Sequence, residues 1–152
     1  MKRLFLVILL LIIAVGLIGC DQVYRSRIYV RTTHGSIDPP SAIVKEVEST
    51  VKEFSLQHRY SIIECDKNDP WIKQEIGEEK PLIIWIAKKD YETTILFTSA
   101  ADTAVVRLIK LSGPFRPKTH KKYTDELYLL LKNRFGATNV ELFEECPGVL
   151  PR

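Results

Sequence analysis

Residues 4–18 carry no charged or polar side chain, follow Lys2 and Arg3, and run into Gly19-Cys20. A segment of this kind cannot join a water-facing fold, because a helix built from it would be apolar all round and would need cover on every side. It is also shorter than the ~20 residues that cross a bilayer core. A cationic start, an apolar stretch and a small-residue cleavage site, in that order, read as a secretory signal peptide. Residues 1–19 are therefore expected to leave, and 133 of the 152 residues remain to fold. An uncleaved membrane anchor is the alternative reading of the same residues, and a buried helix is the weakest.

A chain of 133 residues is one ordinary domain with enough length to bury a core. Lys2 and Arg3 depart with the signal, so the net charge falls from +3 to +1. Nucleic-acid binders show a strong basic balance or stripe. A nearly neutral exported domain excludes that class of partner.

The ending Leu17-Ile18-Gly19-Cys20 resembles the lipobox of bacterial prolipoproteins, a likeness confined to residues 1–21. The resemblance implies a diacylglyceryl group on the Cys20 sulfur, cleavage between Gly19 and Cys20, and an acylated first residue at Cys20. Two acyl chains hold a protein stably on a membrane, where one gives only marginal binding. In the lipoproteins of enteric-type bacteria, Asp at the position of Asp21 is associated with retention on the inner membrane. The expected location is thus the extracytoplasmic face of the cell membrane. Residues 20–26 then form the lipidated start and a tether. Six residues, 21–26, reach at most about 20 Å, which keeps the domain close to the bilayer.

Cys65 and Cys146 remain in the mature chain, and export to an oxidising compartment permits a bridge between them. Such a bridge closes a loop of about eighty residues and stabilises by roughly 4 kcal/mol in the chain-entropy model. Two separate buried thiols are the alternative. A nucleophilic cysteine would need a base such as His within hydrogen-bond reach, and spacing places none of His34, His58 or His120 beside either sulfur.

Residues 27–32 alternate, with Ile28 and Val30 opposed to Arg27, Tyr29 and Arg31, as a half-buried strand does. Asp38-Pro39 offers a cap and a first-turn proline. Val44, Val47, Val51 and Phe54 then make the apolar stripe of a helix over 39–57. Strands are expected at 60–65, 82–87, 91–97 and 104–111, the last chosen over a helix for its β-branched content. The connection 66–80 is charged, with one helical turn around 71–76. A second helix spans 119–135, stopped by Gly136, before a strand at 138–144. The order is β-α-β-β-β-β-α-β. Two amphipathic helices covering one face of a single mostly antiparallel sheet satisfy it. The plan is an α+β domain over 27–146 with a tail at 147–152, similar in topology to an elaborated ferredoxin-like plait.

Arg116, Lys118, His120, Lys121 and Lys122 are the densest basic cluster. Positive charge at a helix start opposes the helix dipole, and beside a short tether its functional reading is contact with anionic headgroups. Trp71, in the charged connection, is a candidate partner contact, since Trp is enriched at interface hot spots. Metal-ligand spacings, Gly-rich phosphate loops and cofactor motifs are lacking in the sequence, and no residue is nominated as catalytic. The expectation is a noncatalytic binding or assembly module for envelope or membrane proteins. The alternative is a domain that binds a small molecule or cell-wall fragment.

Overall fold

The computed structural model describes residues 22–31, 42–66, 68–89, 93–100, 102–112 and 118–149. Six strands form one sheet: β1 (Gln22–Arg31), β2 (Ser61–Glu64), β3 (Ile83–Lys88), β4 (Thr94–Ser99), β5 (Thr103–Ser112) and β6 (Val140–Val149). Three helices accompany them: α1 (Ala42–Gln57), α2 (Pro70–Ile76) and α3 (Lys118–Phe135). The strand order is β2-β3-β4-β5-β1-β6, and every neighbouring pair is antiparallel. The molecule is an α+β fold. A ferredoxin-like plait follows a β-α-β-β-α-β plan with four strands, so six strands place this sheet in the broader class.

Alternation along each strand sorts the side chains onto two faces. Ile28 and Val30 of β1, Trp85 and Ala87 of β3, Ile95 and Phe97 of β4, and Val106 and Leu108 of β5 point to one face. There they pack against Val47, Val51 and Phe54 of α1 and Leu127 and Leu131 of α3. These helix residues recur at spacings of three and four, which puts them on the buried stripe. The opposite face holds Val23, Ile86, Leu96 and Ile109, covered by Ile72 and Ile76 of α2. The turn expected around 71–76 is thus a helix, and it lies across the sheet from the other two.

Several boundaries differ from the sequence reading. β1 begins at Gln22 rather than residue 27, so most of the expected tether is strand. It pairs on both sides, with Gln22 opposite Ser112 and Val149. Its inward residues Tyr24 and Ser26 are buried but polar enough to hide the alternation. β6 runs to Val149, five residues beyond the expected end, and absorbs part of the expected tail. It is an edge strand, and Pro147 falls at the register shift between the Val23–Gly148 and Arg25–Glu145 pairs, an irregularity of the kind that accommodates proline. The cap proposed at Asp38-Pro39 lies outside the described residues.

The expected disulfide is corrected by the strand order. Cys65 follows β2 and is a free thiol, whereas Cys146 belongs to β6, at the opposite edge of the sheet. Five strand spacings separate those edges, about 24 Å at ~4.8 Å each, against the ~7 Å between Cα atoms that a disulfide tolerates.

Candidate binding groove at the sheet edge

The shortest strand, β2, is an edge strand whose outer side has no partner among the described residues. Unpaired edges accept an added strand from another chain. Beside this edge sits α2, started by Asp69, whose carboxylate accepts from the N–H groups of Trp71 (2.8 Å) and Ile72 (3.3 Å). Pro70 occupies the first turn, and Gly77, at φ +61°, ends the helix with its N–H donating to Lys73 O. Ile72 and Ile76 point down into the second core. Trp71 lies one position round the helix and is therefore left half-buried at its side.

Between α2 and the β2–β3 edge opens a cavity of about 280 Å³, lined by Ile63, Cys65, Asp69, Trp71, Ile86 and Lys88 among others. Ile63 is 45% exposed, a large apolar side chain on the open edge. The Lys88 ammonium stands 5.8 Å from the Trp71 ring centroid, within the range of a cation–π contact. The groove thus combines an apolar floor, an aromatic wall and a rim with both signs of charge.

Cys65 lacks the activation of a nucleophilic thiol there. Burial pushes its thiol above the ordinary range, outweighing the opposing pull of Lys88, and a reactive cysteine needs the reverse shift. Its sulfur meets Ile63 O at 3.9 Å, and no histidine among the described residues lines the cavity. Among the described residues no group of three or more His, Cys, Asp or Glu converges on a metal site. The arrangement suits binding an apolar, extended segment.

A second, smaller cavity of about 170 Å³ lies at the other end of the sheet, lined by Glu79, Pro81, Thr98, Ser99, Thr103 and Val105 among others. Next to it Arg107 is buried, 1% exposed, with Nη1 donating to Thr98 Oγ1 at 2.7 Å and Nη2 to Glu79 Oε1. Arg107 lies directly opposite Arg27 across the β1–β5 pair. Like charges so placed repel, and each has its own carboxylate, Glu79 for Arg107 and Glu145 for Arg27. Arg25 binds Glu75 of α2 through Nε and Nη2, a fork that holds the Arg25 guanidinium above its already high ordinary pKa.

Of the residues singled out in sequence, Trp71 and Cys65 meet in the groove. Lys118, Lys121 and Lys122 are exposed at the start of α3, with Lys121 paired to Asp125 at 2.8 Å and Lys122 to Glu126 at 3.8 Å. Cys20, Asp21 and Arg116 lie outside the described residues. His120 is fully buried, its ring between Ser26 Oγ (3.1 Å) and Thr93 Oγ1 (3.3 Å), so it leaves the surface cluster. Sequence reasoning missed Ile63, Lys88 and Arg107. Only Arg107 carries a signal, as a lone charge inside the apolar run 104–111. No described helix is long and apolar enough to cross a membrane. No known protein family, curated protein or solved structure matches the chain.

Proposed function

We propose that this protein is a bacterial lipoprotein, attached through acylated Cys20 to the extracytoplasmic face of the cell membrane. Asp21 favours the inner membrane where there are two. Its domain, drawn as an elaborated ferredoxin-like plait, acts without catalysis as a binding or assembly module for envelope or membrane proteins. The observation that carries this reading is the Trp71-walled groove beside the open edge of β2. An extended segment of a partner would add to the edge through its backbone and place an apolar side chain against Trp71 and Ile63. The alternative, a binding domain for a small molecule or cell-wall fragment, is favoured by the cavity beside Arg107 and Glu79.

Recovery of the full-length protein after in-cell crosslinking tests the reading, with the mass of the mature N-terminus reporting the lipid. A defined membrane or envelope protein should be recovered with the native chain. It should be lost with Trp71→Ala and kept with Leu129→Ala, a change at a residue 54% exposed on α3. An identical set of proteins from Trp71→Ala would overturn the binding role at this groove, and an unacylated N-terminus would overturn the anchor.

A further inference from the structure

The strand registers bring one end of the sheet together from distant parts of the chain. Gln22 opposes Ser112 and Val149, Thr94 opposes Ile109, and Ser61 opposes Lys88. The start of β1 therefore lies at the same end as the end of β3, the turn after α1 and the start of α3, whose His120 bonds to Ser26 and Thr93. Basic residues gather at this end: Arg59 after α1, Lys88 at the end of β3 and Lys89 just after it, and Lys110 near the end of β5. They join Lys118, Lys121 and Lys122 of α3. The carboxylates of α3 facing them, Asp125 and Glu126, are taken up by Lys121, Lys122 and His58. Arg59, Lys89, Lys110 and Lys118 make no ion pair among the described residues. The other end is mixed, with Asp66, Glu78, Asp102 and Glu141 among Arg31, Lys45, Lys80, Lys132 and Arg134, the last paired to Glu46.

Arg59 adds a backbone observation. The Tyr60 N–H donates to Ser55 O and the Arg59 N–H to Leu56 O, the paired bonds of a Schellman stop. Arg59 sits at its left-handed position with φ +62°, where glycine is the undemanding residue. An exposed cation thus stands where the backbone favours no side chain.

We propose that this basic end docks on anionic lipid headgroups, a conclusion that rests on the Cys20 anchor argued above. The chain enters the domain here, and Gln22 is two residues from Cys20, at most about 7 Å along the chain. That reach is about one screening length at physiological salt, so the start of β1 is held where headgroup charge is still felt, and the attraction weakens as salt is added. The strands then rise from the membrane surface. Lys88 belongs both to this end and to the Trp71 groove, which runs from there along the β2–β3 edge toward Cys65 and Asp66, so the Lys88 mouth of the groove faces the bilayer side, where a juxtamembrane segment of a membrane protein would enter it.

The test uses the full lipidated protein on vesicles of phosphatidylcholine alone or mixed with phosphatidylglycerol, with amine-reactive footprinting read by mass spectrometry. Lys88, Lys89, Lys110 and Lys118 should label several-fold more slowly on the anionic vesicles, while Lys45, Lys80 and Lys132 do not change. High salt should abolish the difference. Arg59→Gly relieves the left-handed strain, so its thermal midpoint should not fall, yet its affinity for the anionic surface should drop about fivefold, the worth of one charge near the surface. Equal labelling on the two vesicle types, or protection of the far-end lysines instead, overturns the docking surface. Flotation with neutral vesicles reads the anchor separately. If it fails, salt-sensitive protection on anionic vesicles still upholds the surface, and its absence still removes it.

Discussion

The two faces of the sheet are built from alternate residues of the same strands, yet they are held by different means. Beneath α1 and α3 the contacts are mainly apolar: Ile28, Ile95, Phe97 and Leu108 meet Leu127 and Leu131, all fully buried, with Phe97 stacked on Trp85 at 5.1 Å, and the polar contacts there include the His120 bonds to Ser26 and Thr93. The face beneath α2 is crossed by arginines. Arg25, Arg27, Arg31 and Arg107 meet Glu75, Glu145, Glu141 and Glu79, contributed by α2, β6 and the loop after α2. A seven-residue helix covers only part of a sheet face, and the remaining area is closed by ion pairs that grade from buried to exposed. The first face specifies the fold by volume and the second by pairing, and the groove at Trp71 opens where that thinner cover ends.

Four measurements sharpen or break this contrast. Truncating the apolar face should cost most: Phe97→Ala removes a fully buried ring and its stack on Trp85, an expected loss of about 4 kcal/mol in urea unfolding. A loss below about 1 kcal/mol would show that this face is not close-packed.

On the arginine face, the two partners of one pair should behave unequally. Glu79→Gln leaves Arg107 buried beside Arg27 without its carboxylate and should destabilise by about 2 kcal/mol, below the full cost of breaking a buried pair because Glu79 is 43% exposed. Arg107→Met removes the charge itself and should stay within about 1 kcal/mol of the native protein. Equal losses in the two variants would mean that the ion pair, rather than the volume of the arginine, holds this region.

Removing the cap of α2 should cost about 1 kcal/mol in Asp69→Ala, since the Trp71 and Ile72 N–H groups lose their acceptor. Hydrogen exchange should speed up over 70–76 and not over α1. Uniform acceleration would show that α2 does not open independently.

The smallest effect concerns pH. The Cys65 thiol has its pKa raised by burial, so the fold favours the protonated form. Its contribution is fully present below the ordinary thiol pKa and declines as pH rises from about 8.5 towards the folded value. The native protein should lose slightly more stability than Cys65→Ser between pH 8 and pH 10, and alkylation of Cys65 should be slower in the fold than in urea. Parallel pH curves for the two proteins would place the thiol in solvent.

What was legible in the sequence was whatever repeats with a period. Val44, Val47, Val51 and Phe54 announced α1, and Tyr123, Leu127, Leu130 and Leu131 announced α3, because a stripe at three and four residues has one place to go; Leu130, next to Leu131 on the stripe's margin, is exposed in the structure. The strand expected at 91–97 followed from alternation, whereas that at 104–111 followed from its β-branched content. Where inward residues were polar or small, the signal vanished, as at Tyr24 and Ser26 of β1. Trp71 stood out in sequence as an aromatic residue outside any periodic segment. Its neighbours Ile63 and Lys88 did not, since each belongs to an ordinary strand.

The sequence by itself determined the uncharged apolar run 4–18, the near-balanced charge of the residues after it, the α+β class and the two long helices, all of which depend on composition or on contacts within one element. Tertiary structure alone decided that Cys65 and Cys146 sit at opposite edges, that α2 lies across the sheet from α1 and α3, and that Arg107 faces Arg27. It also gathered Arg59, Lys88, Lys89 and Lys110 at the end where β1 begins. Those relations depend on strand order, which is set by how two faces of very different polarity find cover at once, and local periodicity carries no record of that choice.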